Sequence, residues 1–231
     1  AIFMTYVLGR HLITNYKALE NRKQIPLVIG GWGTRGKSGT ERLKAAIFNG
    51  MGSEVFSKTT GCNAMFVHAD SNGKLQEYNL YRPYDKATIW EQTHALKIAK
   101  TRGVDVFLWE CMGLNPSYVT ILQKWMQDDI STITNCYPDH EDTLGPSGWQ
   151  VAHEMTHFIP EGGHLHTSEE QMLPILRQGA SMKNCSLAVT NWYQIESIPS
   201  DILDEFSYEE HPANIALVLS LSLTMGIGKS K

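Results

Sequence analysis

Closely spaced cysteines are missing from this chain: Cys62, Cys111, Cys136 and Cys185 lie far apart, with no CxxC among them. That argues against a cysteine zinc site and against a disulfide framework, and fits reduced thiols in a cytosolic compartment. Three of the four stand at or beside apolar runs, where a free cysteine is usually a small core residue. A basic excess is missing too. Twenty Lys and Arg face 24 Asp and Glu, a net charge of −4, so the electrostatic footprint of a nucleic-acid binder is absent. No secretory signal, internal repeat, low-complexity tract or clear linker is visible. What is present is an ordinary composition: 231 residues, 42% hydrophobic and 19% charged, enough for one domain with a substantial core.

The first residues can be read in two ways. Residues 2–8 are apolar and lead into Arg10, Lys17, Arg22 and Lys23. A bilayer needs about 20 apolar residues, so the run does not span one. It fits the tail of a membrane anchor with a cytoplasmic basic flank, and equally the first turns of a helix packed on the core.

From residue 25 onward strands and helices alternate, the pattern of a parallel sheet covered by helices. Residues 25–30 read as a buried strand entered through Pro26, and 38–49 as a helix with Leu43, Ala46 and Ile47 on one face. A strand is expected at 54–58. Strands at 64–68 and 75–80 flank Ser71-Asn72-Gly73-Lys74, a hairpin turn signal. A helix over 86–101 stops at Gly103, and 104–109 is apolar enough for a central strand. Pro116 opens another helix, and 130–134 is the next strand, followed by a loop rich in Asp, His, Pro and Gly up to Gly148. Later units are expected at 165–167, 169–178, 187–190 and 212–225.

Between the first strand and its helix lies Gly31-Trp32-Gly33-Thr34-Arg35-Gly36-Lys37-Ser38, a gap-free G-x-x-x-x-G-K-[ST]. Glycines let backbone N–H groups close around a phosphate, and the helix N-terminus adds its dipole. Lys37 can reach the β- and γ-phosphates, and the Ser38 hydroxyl can ligate Mg²⁺. Glu110 follows the apolar strand at the edge where open α/β sheets bind ligands. It is either a hard oxygen ligand for the same Mg²⁺ or a solvated strand-end carboxylate. Asp139 and His140 emerge at that edge too, suited to a second metal or to developing charge, or to a plain polar turn.

These stretches carry a resemblance. Gly33-Thr34-Arg35-Gly36-Lys37-Ser38, Lys58-Thr59-Thr60-Gly61, Glu110-Cys111-Met112, Thr134-Asn135 with Pro138-Asp139-His140 and Asp142, and Gly145-Pro146 resemble the ATP-binding subunit of poly-γ-glutamate synthases. That is the capsule-forming branch of the Mur ligase superfamily. His211-Pro212-Ala213-Asn214-Ile215-Ala216-Leu217 is similar to the superfamily's adenine-side segment, and the likeness runs in order over residues 26–226. The resemblance implies a mostly parallel α/β sheet with a phosphate-binding loop, like a Mur ligase central domain, over residues 25–231, with 1–24 as an N-terminal helix. It implies ATP and Mg²⁺ as cofactors, a carboxylate activated as acyl phosphate and attacked by an amine, and glutamate or its polymer as substrate. Membrane synthase subunits as partners, a homo-oligomer, and a place at the cytoplasmic face of the membrane belong to the same implication. Residue by residue, Gly33, Thr34, Arg35, Gly36, Lys37, Ser38, Gly39, Thr60 and Asn214 would hold the nucleotide. Ser38, Glu110 and His140 would hold metal, Lys37, Glu110 and His140 would act in catalysis, and Thr59 would line the substrate side.

Two departures stand out. No Lys lies between Lys124 and Lys183, where many Mur ligases carry a carbamylated one, and the chain ends where a C-terminal amino-acid-docking domain is expected. A competing motif is His153-Glu154-Met155-Thr156-His157, a literal HExxH of zinc peptidases, with His164 or His166 as third ligand; with nine histidines the pattern also arises by chance. A regulatory ATP-binding module without ligation is a further alternative. Trp90, Trp109 and Trp125 read as core residues, and Trp32 as packing or as a shield for the nucleotide. Glu91-Gln92 reads as a family pair or a helix surface. Asp204-Glu205 and Glu209-Glu210 read as a solvated face.

Overall fold

The computed structural model describes residues 2–61, 64–82, 86–112 and 115–226; Cys62 lies outside them. The strands, in chain order, are β1 (Leu27–Trp32), β2 (Val55–Lys58), β3 (Met65–Ala69), β4 (Leu75–Asn79), β5 (Val106–Glu110), β6 (Ile130–Ile133), β7 (His164–Thr167) and β8 (Ser186–Val189). They form one sheet in the order β4-β3-β2-β5-β1-β6-β7-β8. From β2 to β8 every neighbouring pair is parallel, and the β3–β4 hairpin adds an antiparallel edge.

Alternation along β1 puts it at the centre. Val28 and Trp32 join the larger apolar cluster on one face, Ile29 the smaller one on the other. A strand covered on both faces belongs in the interior of a parallel sheet. Helix α2 (Lys37–Gly50) follows β1, and its Ala45 and Phe48 cover the smaller cluster. Helix α1 (Ile2–Arg22) precedes β1, and α3 (Trp90–Arg102), α4 (Pro116–Met126), α5 (Glu141–Leu144), α6 (Gly148–Met155) and α7 (Leu173–Met182) follow α2, separated by the strands between them. Ala18, Leu96, Leu122, Val151 and Leu176 from these helices build the larger cluster. After β8 come α8 (Trp192–Glu196), α9 (Ser200–Asp204) and α10 (Pro212–Thr224), whose Leu221 packs beside α2 on the smaller cluster. Strand order reverses around β1, with β5 on one side and β6 on the other, so the C-terminal ends of these three parallel strands frame the crevice where open α/β folds bind ligands.

Local chemistry sets the ends of elements. Asn115 caps α4 by accepting from the Ser117 N–H, with Pro116 in the first turn. Gly103 ends α3 in the left-handed region at φ 69°. The expected helix over 86–101 begins only at Trp90, because the Thr88 N–H is taken by the Glu91 carboxylate at 3.2 Å. The strand expected at 25–30 sits two residues later. Gly30 is strand as expected and pairs with Trp109, and Gly31, which the motif assigns to the turn, is a strand residue too, paired with Glu110. The helix expected at 169–178 is α7, shifted later. Neither α8 nor α9 was anticipated, nor was the turn α5 within the loop after β6.

Three tryptophans expected in the core divide. Trp109 and Trp125 are buried, but Trp90 is 41% exposed, because it bridges His11 of α1 and Trp125 at 5.3 and 5.5 Å. That bridge, with the Arg22–Asp129 ion pair at 2.8 Å, docks the later half of α1. Its earlier half exposes Ile2, Phe3, Met4, Tyr6 and Leu8. Among the described residues, no helix is long and apolar enough to cross a membrane. Asp204 and Glu205 are exposed as expected, but Glu210 is buried; its carboxylate accepts from the Asn214 amide at 2.6 Å.

Beneath the loop that follows β1, Glu41 and Lys44 of α2 form a wholly buried ion pair at 2.6 Å, with the Lys44 ammonium also donating to Thr132. Burial pushes the Glu41 carboxyl up to about 7, against the pull of Lys44. A Cβ added at Gly31 would come within 1.9 Å of the Glu41 carboxylate. Gly31→Ala is therefore expected to destabilise by about 1–3 kcal/mol through overpacking, read as a lower urea midpoint. Gly50→Ala, with nothing within 4 Å, should leave the unfolding free energy within about 1 kcal/mol of the parent.

Candidate active site

The turn after β1 is glycine-dependent at two points. Gly33 has φ +140°, and a Cβ there would meet the Thr134 hydroxyl at 2.0 Å; Gly36 has φ +82° and abuts Asn214. Both need the left-handed freedom and close approach that only glycine supplies. The end of β6 holds the turn from the other side. Thr34 N–H donates to the Asn135 carbonyl at 3.1 Å, the Thr34 hydroxyl to the Tyr137 carbonyl at 2.8 Å, and Arg35 N–H to the Asn135 side chain at 2.9 Å. The Thr134 hydroxyl donates to the Arg35 carbonyl at 2.6 Å, and Arg35 pairs with Asp139 at 3.0 Å. Lys37 is folded onto its own loop, donating to the carbonyls of Gly33 and Thr34 at 2.8 and 3.2 Å. Burial lowers its ammonium below the usual lysine range, and Glu110 opposes that.

Glu110 is the last residue of β5 and is buried. Both side-chain bonds go to Oε2: the Ser38 hydroxyl donates at 2.8 Å and the Thr60 N–H at 2.9 Å. The solvated strand-end reading is thereby set aside. Register explains the meeting, since Gly31 pairs with Glu110 and the turn that follows brings Ser38 over it. His140 stands just before α5 at φ 50°, with a half-exposed side chain that makes no capping bond. A cleft of about 240 Å³ is lined by Thr34, Lys37, Thr60, Glu110 and His140, with Trp32 on its apolar wall.

A second recess of about 290 Å³ is lined by Arg35, Gly36, Tyr137, Trp192, His211 and Asn214. The turn contributes to both recesses: Gly33, Thr34 and Lys37 to the first, Arg35 and Gly36 to the second. Gly39 lines neither; it packs against the Glu210 carboxylate, 2.7 Å from an added Cβ. Glu210, expected on a solvated face, is buried instead, and the two alternatives for Glu91 and Gln92 are resolved by their partners. Glu91 forms ion pairs with Lys58 and Arg82, and Gln92 is buried with its amide donating to the Glu110 carbonyl at 3.2 Å. A lysine closing the short strand segment Val55–Lys58 was the available signal for this network.

The HExxH stretch has a different setting. His153 and His157 sit on the surface, each near the Glu154 carboxylate at 3.7 and 3.9 Å. His153 stacks on Trp149 at 5.6 Å, while His166 is buried within β7 and His164 contacts Ser186. Among the described residues, no group of three or more His, Cys, Asp or Glu is arranged to hold a metal ion.

No family model matches the chain. It is 29% identical to the PGA synthase CapB of Bacillus subtilis (strain 168) over 209 residues, covering 90% of this chain and 52% of that one. It is 30% identical to the capsule biosynthesis protein CapB of Bacillus anthracis over 204 residues, covering 88% of this chain and 43% of that one. This chain is a homologue of the CapB proteins. It spans about half the length of these curated relatives. Among solved structures, E. coli FolC in complex with DHPP and ADP aligns at a TM-score of 0.59 and 20% identity, over 76% of this chain and 45% of that one. The folylpolyglutamate synthase/dihydrofolate synthase of Yersinia pestis with AMPPNP and Mn ion aligns at 0.58 and 19%, over 76% and 46%. This CapB homologue therefore shares the fold of these enzymes. Surface changes away from caps and cores usually cost within about 0.5 kcal/mol. His153→Ala and His157→Ala are accordingly expected to leave thermal stability nearly unchanged, and metal analysis of the purified protein should find no stoichiometric zinc.

Proposed function

We propose that this chain is the ATP-binding part of an ATP-dependent carboxylate–amine ligase, and that its reaction is the polymerisation of glutamate to poly-γ-glutamate. One observation carries the reading: a phosphate-binding turn whose Ser38 hydroxyl already meets the buried Glu110 carboxylate at 2.8 Å. The CapB relatives, and a folylpolyglutamate synthase of this fold with Mn, AMPPNP and L-glutamate bound, support it.

The residues fit magnesium and nucleotide. Ser38 and Glu110 are hard oxygen donors beside one another, as a divalent cation sharing phosphate ligands requires, and Glu110 Oε1 accepts neither of the two bonds at that carboxylate. Magnesium, when bound, neutralises charge on the phosphate oxygens. Lys37 would exchange its loop carbonyls for the β- and γ-phosphates, and the backbone of Gly33, Thr34, Arg35 and Gly36 would line the phosphates at the start of α2. Gly39, one turn into α2, contributes close helix packing instead of a contact. Asn214, beside Gly36, would meet the adenine, with its amide held by Glu210. A substrate carboxylate oxygen then attacks the γ-phosphorus, ADP leaves, and an amine displaces phosphate from the acyl carbon. His140, with Thr60 and Thr59 near the same cleft, would face that acyl group as a second metal ligand or a donor to its charge. The earlier half of α1, apolar and exposed, with Arg10 and Lys17 and no acidic residue before Glu20, supports placement at the cytoplasmic face of the membrane beside membrane synthase subunits.

Two expectations test this on the full natural chain. Lys37→Ala should lose most nucleotide affinity in calorimetry while keeping its circular dichroism, because that ammonium is the group that can reach the β- and γ-phosphates; unchanged affinity overturns the phosphate-loop reading. His140→Ala should keep near-parental ATP affinity and lose glutamate-dependent phosphate release by a factor of about 100 or more. Phosphate release that ignores glutamate in the parent protein would instead favour a regulatory ATP-binding module.

A further inference from the structure

Lys58 ends β2 and is wholly buried, yet it does not line the cleft. Its ammonium lies 3.1 Å from Glu91 Oε2 and 3.6 Å from the Met112 sulfur. Burial pulls it below the usual lysine range, opposed first by Glu91 and more weakly by Glu110. Glu91, in the first turn of α3, also takes a two-pronged contact from Arg82, at 3.0 Å to Oε1 and 3.2 Å to Oε2. Such fork-to-fork pairs fix direction as well as distance. The remaining prong of Arg82, Nη1, reaches the Thr60 carbonyl at 3.4 Å.

The geometry converges on one residue. Thr60 has its carbonyl held by Arg82 while its N–H donates to Glu110 Oε2 at 2.9 Å. The neighbour of Glu91 on α3, Gln92, holds the Glu110 main-chain carbonyl at 3.2 Å. Two cations surround one carboxylate in the clamp, and Glu110 is the next carboxylate that Lys58 senses. A network needed only for stability has no reason to end on both peptide groups of the residue that orients the cation ligand. Replacing a buried ion triad with apolar residues is often neutral for stability, so retaining it calls for another role.

We propose that Lys58, Arg82 and Glu91 are positioning residues for Glu110: their ion network holds the 58–61 loop so that the Thr60 N–H aims the Glu110 carboxylate at the cation site beside Ser38. The inference rests on the ligase reading of that site. Outer partners of a metal ligand typically contribute 10–100-fold in metal affinity, and these residues play that part at one remove.

The test compares the parent, Arg82→Gln, Arg82→Lys, Glu91→Gln and Glu110→Gln in the full natural chain. Three quantities are read: Mn²⁺ affinity with AMPPNP by electron paramagnetic resonance, AMPPNP affinity in EDTA, and hydrogen exchange of the metal-free peptide carrying Thr60. Arg82→Gln is expected to weaken Mn²⁺ binding about tenfold, leave metal-free nucleotide affinity unchanged and speed exchange at Thr60. Arg82→Lys, which keeps the charge and loses the fork, should fall between. If Glu91→Gln does not fold, Arg82→Gln decides, since it removes the partly exposed arm of the clamp. Parental Mn²⁺ affinity and exchange in Arg82→Gln, with Mn²⁺ binding lost in Glu110→Gln, overturns the positioning role alone. Parental Mn²⁺ affinity in Glu110→Gln, or no AMPPNP binding by the parent, overturns the site reading beneath it.

Discussion

Glu110 is a carboxylate buried at the end of a central strand, and a buried charge persists only where donors or a cation meet it. Here a hydroxyl from the start of α2 and a backbone N–H from the 58–61 loop do so. Ser38 can stand there because Gly30 and Gly31 leave β1 without side chains where α2 and the core close in. Thr60 can stand there because the loop after β2 is clamped by Arg82 and followed by an antiparallel hairpin. One carboxylate thus ties together β1, β2, β5 and two connecting segments.

The other half of the crevice is built from the opposite neighbour of β1. Beyond β6, Asn135 and Tyr137 accept from the N–H and hydroxyl groups of the phosphate-binding turn and the Thr134 hydroxyl donates to its Arg35 carbonyl, so that turn is shaped before any ligand arrives. Preorganised backbone donors of this kind are what phosphate chemistry needs, since little reorganisation then opposes the reaction. Glu210 extends the arrangement: it packs on Gly39, holds the Asn214 amide, and so links α10 to the start of α2.

Buried charge recurs on the α2 side of the sheet. Glu41 and Lys44 lie under the turn, and on the opposite face Asp128 accepts from Trp109, Gln123 and Ser131 at 2.6, 2.8 and 2.9 Å. Burial raises the Asp128 carboxyl to about 6. Because its folded value lies above the unfolded one, the protonated form favours folding; that contribution is complete below about pH 4 and fades as pH rises through about 6. Polar groups of this kind fix which face and which register each element takes, where apolar packing alone tolerates exchange.

What the sequence alone determined is what depends on near neighbours. The phosphate-binding turn, the hairpin at Ser71-Asn72-Gly73-Lys74 and the starts of α4 and α10 at Pro116 and Pro212 were legible, because glycine, proline and capping side chains act within a few residues. The alternation of apolar runs was enough for a mostly parallel α/β sheet, and Glu110 and His140 stood out as charges at strand ends. The motif nevertheless assigned Gly31 to the turn; cross-strand pairing with Glu110 makes it strand. Glu210 read as solvated because burial is not written in a run of acids, and Trp90 read as core because its partners His11 and Trp125 come from distant segments. The Lys58–Glu91–Arg82 clamp and the meeting of Ser38 with Glu110, 72 residues apart, were decided only in three dimensions. Strand order sets which side chains face one another, and no local pattern of residues encodes that order.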